Sequence, residues 1–162
     1  MTGGARLSYR SGMPRDLAPN QRFIEGYLPY LLARASHSVS AEFHHRLKGR
    51  GVSVAEWRVL GSLSGASAET VGALADACLM QQPTMTKLLG RMVREGLVER
   101  LPDPGDRRIV RVGLTRRGAD MAAELTAVAL AHEDAVTATM PSGDAMALRS
   151  LLTGLIGRQE GG

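Results

Sequence analysis

The stretch that decides the fold, Thr70–Thr115, reads TVGALADACLMQQPTMTKLLGRMVREGLVERLPDPGDRRIVRVGLT. Apolar residues at helical spacing predict a first helix over Val71–Ala77, with Thr70 as its N-cap. A short turn leads to a second helix, with Gln82 near the cap and Pro83 at the first helical position, where a missing N–H costs nothing. The order of these elements predicts two helices joined by a tight turn.

The second half of the stretch predicts a β-hairpin. Gly96 supplies the left-handed residue that ends the second helix. Two β-rich runs follow, Leu97–Leu101 and Ile109–Leu114, and the turn-forming segment PDPGDRR joins them. The predicted fold class is therefore mostly α (α+β): a helix-turn-helix followed by a two-stranded wing.

The second helix has an apolar face and a basic face. The apolar face comprises Met85, Leu88, Leu89, Met92 and Val93, and the polar one comprises Thr84, Lys87, Arg91 and Arg94. Residues 81–117 carry nine basic and four acidic side chains, a net charge of +5, whereas the whole chain carries +4. Such a confined basic surface is typical of proteins that bind duplex DNA, although a solvated charged face is the simpler alternative.

The segment LADACLMQQPTMTKLLGRMVREGLVERLPDPGDRRIVRVGLTRRG resembles the winged helix-turn-helix core of the MarR family of bacterial transcription regulators. Its L-A, T-x-T, G-L-V-x-R, D-x-R and L-T-x-x-G elements fall at the family's spacing. The resemblance extends more weakly from about Leu28 to Leu155. This chain departs from the family at Ala73, where Glu is frequent, and at Pro83, where a small hydroxyl residue is frequent.

The resemblance implies a DNA-binding transcriptional regulator, with a ligand-responsive repressor as the favoured form. The second helix would enter the major groove, and its candidate contacts are Gln81, Gln82, Thr84, Thr86 and Lys87. Glutamine can bind adenine through N6 and N7. Arg108 matches the family's wing arginine in the minor groove, and Asp106 would orient its guanidinium. The residues expected to contact phosphates are Arg91, Arg94 and Arg107.

Composition indicates one soluble, cytoplasmic domain. A chain of 162 residues suits a single domain, and a single cysteine suits a reducing compartment. The first twenty residues lack the apolar segment of a signal peptide, and no stretch approaches a transmembrane length. We therefore expect no membrane partner.

Nothing in the sequence predicts an enzyme, a cofactor or a metal site. The chain has no Gly-rich phosphate loop, no nucleophile elbow and no cluster of metal ligands. His37 and His44 lie seven residues apart, which is about 10.5 Å along a helix and too far to share a metal. The competing class is a winged helix that binds other proteins and no longer binds DNA.

The predicted domain organisation surrounds the DNA-binding lobe, residues 53–115, with helices. Residues 1–20 are expected to form a disordered arm, although a role on DNA or on a partner subunit stays open. Residues 21–52 and 116–160 form the helical dimerisation region, in which one long helix is expected from about Gln21 to Gly49. These helices carry more apolar surface than one winged helix can cover, so the sequence predicts a homodimer on a pseudo-palindromic operator.

Two further hypotheses concern regulation. Arg34 and His37 on the first helix, with Trp57 on the next, would line a pocket for a small aromatic or anionic effector, as the family resemblance implies. A solvated face remains the alternative for Arg34 and His37. Ser53 and Glu56 form a capping box at the start of a helix predicted over about Ser53–Ser64. Val52 can pack on Trp57 as a hydrophobic staple there, so Trp57 is primarily structural. Cys78 is either a buried structural cysteine or the thiol of a redox-responsive regulator.

Overall fold

The computed structural model describes residues 22–66, 68–106 and 108–157, and the predicted arm over residues 1–20 lies outside them. The chain divides into two compact units, residues 1–42 and 43–162. The first unit contains helix α1 (Phe23–Gly26) and most of helix α2 (Leu28–Lys48), and the end of α2 belongs to the second unit.

The prediction of one unbroken helix from about residue 21 to residue 49 was wrong. The backbone leaves the helical conformation at Tyr27, where φ is −75° and ψ is 115°. Pro29 accounts for the break, because proline has no N–H to donate and its ring clashes with the carbonyl oxygen four residues earlier. Near the start of α2 neither effect is costly, so α2 begins immediately after Tyr27.

Helix α3 (Val54–Leu63) begins at the predicted capping box. The Ser53 hydroxyl accepts a hydrogen bond from the Glu56 amide at 3.2 Å, and the Glu56 carboxylate accepts one from the Ser53 amide at 2.7 Å. Together these bonds use two of the N–H groups that a helix leaves unpaired at its start.

Helices α4 (Val71–Ala77) and α5 (Gln82–Arg94) form the predicted helix-turn-helix. Thr70 caps α4 as predicted, since its hydroxyl accepts from the Ala73 amide at 3.2 Å. The start of α5 differs by one residue, because Gln81 is the N-cap and Gln82 is already helical. Gly96 follows α5 with φ of +68°, the left-handed conformation that glycine adopts without steric cost.

The sheet has three antiparallel strands in the order β1-β3-β2. Strand β1 (Glu69–Thr70) pairs with β3 (Val110–Leu114), which also pairs with β2 (Val98–Pro102). We call β2, β3 and the intervening loop, residues 98–114, the wing. The sequence predicted the wing hairpin but not β1, because a two-residue strand carries no periodic signal.

Helices α6 (Arg116–Thr137) and α7 (Asp144–Gly157) complete the chain. Thr115 caps α6 through its hydroxyl, which accepts a hydrogen bond from the Gly118 amide at 3.0 Å. The core of the second unit joins the end of α2 to α3, α4, α5, the wing and α6. Its fully buried large side chains include Leu47, Leu60, Leu63, Leu74, Met85, Leu89, Met92, Val112 and Leu125. The fold is thus mostly helical with one small sheet, as predicted.

The first turn of α6 packs tightly against the end of the helix-turn-helix, and we expect Gly118→Ala to destabilise the protein. A Cβ at Gly118 would lie 1.8 Å from the Leu97 carbonyl oxygen, a backbone atom that also accepts from the Thr115 amide. Overpacking of this kind typically costs about 1–3 kcal/mol. Urea unfolding measures the loss. Gly72→Ala in α4 is the matched control, because its Cβ meets no atom closer than 4.0 Å.

Candidate nucleic-acid interface

Helix α5 is held by its apolar face and presents its polar face to solvent. Its buried side chains are Met85, Leu88, Leu89 and Met92. Val93, which the sequence assigned to the same stripe, is partly exposed. Because the buried positions recur every three or four residues, the rotation of α5 about its axis is fixed. The opposite face is therefore available to a ligand.

The exposed face carries the residues predicted to contact bases. These exposed residues are Gln81, Gln82, Thr84, Thr86 and Lys87, all within the cap and first two turns of α5. The Thr86 hydroxyl donates to the Gln82 carbonyl oxygen at 3.0 Å, so its proton is used inside the helix and its lone pairs stay available. The last turn adds Arg94, which is also exposed.

Arg91 differs from the other basic residues of α5, because its guanidinium is bound to another helix. Its Nη2 donates to Glu56 Oε1 at 2.9 Å, and Glu56 is a residue of α3 with a side chain only 11% exposed. A single carboxylate therefore caps α3 through Oε2 and holds α5 through Oε1. The sequence identified the cap, but the partner of Glu56 lies 35 residues away and gave no local signal.

The ionised form of Glu56 is favoured in the folded protein. Burial by itself raises the pKa of Glu56, but the hydrogen bonds from Ser53 and the charge and hydrogen bond of Arg91 outweigh it. The net result is a pKa below the ordinary value. Glu56 therefore stabilises the fold above the pH range in which an unfolded glutamate titrates, and this contribution disappears as pH falls through the lowered pKa.

The wing presents Arg108 to solvent and ties it to Asp106. The Arg108 side chain is 90% exposed, and its guanidinium donates to both carboxylate oxygens of Asp106, with Nη2 to Oδ2 at 2.8 Å. This hydrogen bonding lowers the pKa of Asp106 and raises that of Arg108. The predicted contact between the two side chains is present. Arg107, the other predicted wing residue, lies outside the described residues.

A second carboxylate, Asp103, lies buried at the base of the wing. It accepts hydrogen bonds from the Gly105 and Asp106 amides at 2.7 and 2.9 Å, and it also accepts from Arg111 Nε. The bond from Arg111, followed by the two amide bonds, lowers the pKa of Asp103. Neither Asp103 nor Arg111 was among the predicted site residues. An Asp two residues before a Gly, as in DPG, is typical of an Asx-turn and was the available signal.

The three predicted effector residues are divided between the two units. Arg34 and His37 lie with Tyr30 along a shallow groove of about 520 Å³ in the first unit, and Arg34 lies 5.9 Å from the Tyr30 ring centre. Trp57 belongs to the second unit. It packs edge-on against Phe43 at 5.4 Å and lines an open hollow of about 570 Å³.

Cys78 is fully buried where α4 ends, and its carbonyl oxygen accepts from Arg58 Nη1 at 3.1 Å. Burial raises the pKa of the Cys78 thiol, while a hydrogen bond with Ser62 and the Arg58 charge oppose that shift without cancelling it. Since the thiolate is the reactive form, this environment disfavours oxidation.

Within the part of the chain that the structure describes, no three His, Cys, Asp or Glu side chains are grouped to hold a metal ion. Among the same residues, no helix combines the length and hydropathy needed to cross a membrane.

Comparison with known proteins gives consistent matches. A model described as "MarR family" matches residues 50–109. The solved structure of the MarR family transcriptional regulator SPO1453 from Silicibacter pomeroyi is 38% identical, covers 86% of this chain and 99% of its own, and gives a TM-score of 0.79. The transcriptional repressor CouR, solved bound to a 23-mer DNA duplex, is 27% identical to this chain and gives a TM-score of 0.72. That alignment covers 82% of this chain and 94% of the CouR chain. The repressor IacR of Pseudomonas putida is 27% identical over 72% of this chain and 70% of its own length.

We expect Glu56→Gln to destabilise the protein by about 1–2 kcal/mol at neutral pH, because it leaves Arg91 without its buried carboxylate. The difference from wild type should shrink as pH falls, since Glu56 itself becomes protonated. Urea unfolding at neutral and acidic pH measures both quantities. Glu124→Gln, in the exposed pair with Arg50, is the matched control and should have little effect. An equal loss of unfolding free energy at all pH values would contradict the ionised state assigned to Glu56.

Proposed function

Because this chain belongs to the MarR family of transcription regulators, we propose that it is a sequence-specific DNA-binding repressor that acts as a homodimer. The observation that carries this proposal is the exposed polar face of α5 beside a wing whose arginine extends into solvent. The names of CouR and IacR support repression, and the structure of CouR on a duplex supports DNA as the partner.

The geometry suits a helix in the major groove and the wing in the adjacent minor groove. Glutamine and threonine side chains at the start of α5 can hydrogen-bond base edges, and Gln81 and Gln82 suit adenine. Arg108 would enter the minor groove, where a guanidinium recognises groove width more than base identity. The Asp106 carboxylate limits the orientations that this guanidinium can adopt.

The phosphate contacts divide into two kinds. Lys87 and Arg94 are exposed and make no ion pair with another residue that the structure describes. These side chains can move to a phosphate at no cost to the fold. Arg91 would have to share its guanidinium with Glu56 or release it. We therefore assign the stronger phosphate contacts to Lys87 and Arg94, and a weaker one to Arg91.

Dimerisation is supported by apolar side chains that a single chain exposes. In the first unit they are Phe23, Ile24, Tyr27, Leu28, Leu31, Leu32 and Val39. In α7 they are Met146, Leu148, Leu151, Leu155 and Ile156. Exposed apolar surface of this extent at both ends of a chain marks an association site. Residues 21–52 and 116–160 are accordingly proposed as the dimerisation region, and residues 53–115 as the DNA-binding lobe.

The test of this function is selection from a randomised duplex library with the purified chain. The expected product contains two inverted half-sites about one helical turn, roughly 34–36 Å, apart, because a two-fold dimer presents two equivalent α5 helices. Sedimentation of the free chain should give a dimer. Recovery of no common sequence, or a stable monomer at micromolar concentration, would contradict the proposal.

An effector is proposed for the Arg34 and His37 surface. The guanidinium can bind a carboxylate bidentately, and the neighbouring Tyr30 ring can contact an aromatic group. An effector that binds better to the form unable to bind DNA would release the operator in proportion to that difference.

Isothermal titration calorimetry with benzoates and phenols tests the effector site, because it detects binding at Arg34 and His37 wherever Trp57 lies. We expect a saturable change that Arg34→Ala weakens, because the substitution removes the carboxylate partner. A response that survives Arg34→Ala undiminished would remove Arg34 and His37 from the effector site. The absence of any response would leave the repressor without this form of regulation.

The alternatives are less well supported. A redox switch at Cys78 requires a reactive thiolate, whereas burial raises the pKa of this thiol. Loss of operator binding on peroxide treatment, restored by a thiol, would support it. A protein-interaction module has no need for nine basic residues between positions 81 and 117. A chain that binds no duplex but captures a protein partner would support that class.

We expect Arg108→Ala to lose at least about 1 kcal/mol of DNA-binding free energy, because it removes the proposed minor-groove contact. Asp106→Ala should lose less, since it removes the residue that orients Arg108 and leaves the contact itself. Fluorescence anisotropy with the selected duplex measures both. Arg50→Ala carries the same charge change outside the proposed interface and serves as the control. Unchanged affinity in Arg108→Ala would show that the wing arginine does not contact DNA.

A further inference from the structure

One buried carboxylate, that of Asp103, holds the backbone of the wing loop through hydrogen bonds. Asp103 is 9% exposed, although it lies in a loop of a surface hairpin. Its Oδ1 accepts from the Gly105 and Asp106 amides, and its own amide donates to the Ile109 carbonyl oxygen at 3.1 Å. These three bonds connect both sides of the loop to a single residue.

Arg111 connects that carboxylate to the rest of the sheet. Arg111 lies on the central strand β3, opposite Thr70 of β1 and Leu101 of β2. Its Nε donates to Asp103 Oδ2, and its Nη1 donates to the Ala68 carbonyl oxygen at 3.3 Å. The guanidinium therefore bridges the base of the wing loop and the segment that leads into β1.

The same hydrogen bonds continue to the wing arginine. Asp103 holds the backbone of Asp106, and the Asp106 carboxylate accepts from the Arg108 amide and from its guanidinium. A continuous series of contacts thus runs from Arg111 on β3 to the exposed end of Arg108. Each step is a charged or amide hydrogen bond with defined direction.

We propose that Asp103 and Arg111 are positioning residues for Arg108, which fix where the wing guanidinium enters the DNA. The proposal rests on the function proposed above, since Arg108 must contact DNA for its position to matter. Neither Asp103 nor Arg111 needs to touch the duplex.

The chemistry of Asp103 explains why a carboxylate occupies this site. Three donors converge on it, two backbone amides and one guanidinium, and a carboxylate offers acceptors on both oxygens. Asparagine would offer one oxygen and turn an NH₂ group toward either Arg111 or the amides. The negative charge of Asp103 by itself repels phosphates, so electrostatics alone predicts tighter DNA binding without it.

The sign of the effect of Asp103→Asn on DNA affinity therefore tests the proposal. We expect the affinity for the selected duplex to fall roughly fivefold or more, as for loss of a groove contact, although the substitution removes a negative charge. Glu99→Gln is the matched control, because Glu99 is an exposed carboxylate on β2 of the same hairpin. It should leave affinity unchanged or slightly raised.

Salt dependence and a double-mutant cycle separate positioning from general destabilisation. Asp103→Asn keeps the Arg108 charge and should change the slope of log affinity against log salt less than Arg108→Ala, which removes one charge from each protomer of the dimer and should reduce the magnitude of the slope by up to about 1.8. In the Arg108→Ala background, Asp103→Asn should have almost no further effect. An equal loss in both backgrounds would show that Asp103 acts on the fold and not through Arg108.

Arg111→Lys is the second test if Asp103→Asn fails to fold. Lysine keeps the positive charge, but its single ammonium cannot replace the guanidinium that donates to both Asp103 and the Ala68 carbonyl oxygen. It should weaken DNA binding in wild type and not in Arg108→Ala. Unchanged affinity in a folded Arg111→Lys, or in Asp103→Asn, would overturn the positioning role while leaving the proposed function intact. If the wild-type chain binds no duplex at all, both proposals fail together.

Discussion

The rest of the structure depends on the burial of one face of α5. Met85, Leu89 and Met92 are fully buried, and burying each such side chain contributes about 1.5–3 kcal/mol relative to exposure. Because these residues recur at helical spacing, their burial fixes the rotation of α5 and leaves its polar face in water. Exposure of the residues proposed to contact bases is therefore a consequence of core packing.

Carboxylates determine what the arginines of the interface can do. Glu56 binds Arg91 and joins α5 to α3, Asp103 binds Arg111 and closes the base of the wing, and Asp106 binds Arg108 at its exposed end. Two of these carboxylates are buried, so their ion pairs hold structural elements together. The third pair is solvent-exposed and contributes little to stability, which leaves Arg108 available to a ligand. Net charge alone does not distinguish these roles.

Helices α1, α2 and α7 expose apolar side chains, whereas α5 exposes polar ones. Apart from Phe43 and Leu47 at the end of α2, most of the large apolar side chains of α1, α2 and α7 remain in water in the single chain, and α7 has no buried residue among those described. A second copy of the chain would cover such surfaces, and this would also supply the second α5 that a two-fold operator requires. In this proposal association and recognition are parts of one function, since each protomer carries only half of the DNA-binding surface.

The sequence by itself determined most helix boundaries, the wing hairpin and the exposed face of α5, because caps, glycines and apolar periodicity act within a few residues. Thr70 and Ser53 cap their helices as predicted, and the one large error arose where Pro29 interrupts an apolar stripe. The pair of Asp106 and Arg108 was predicted, but only the tertiary structure decided which contacts the charged residues make with distant segments. Glu56 meets Arg91 across 35 positions, and Arg111 reaches Ala68 across 43. Such pairs form only after distant segments pack together, so no local pattern in the sequence specifies them.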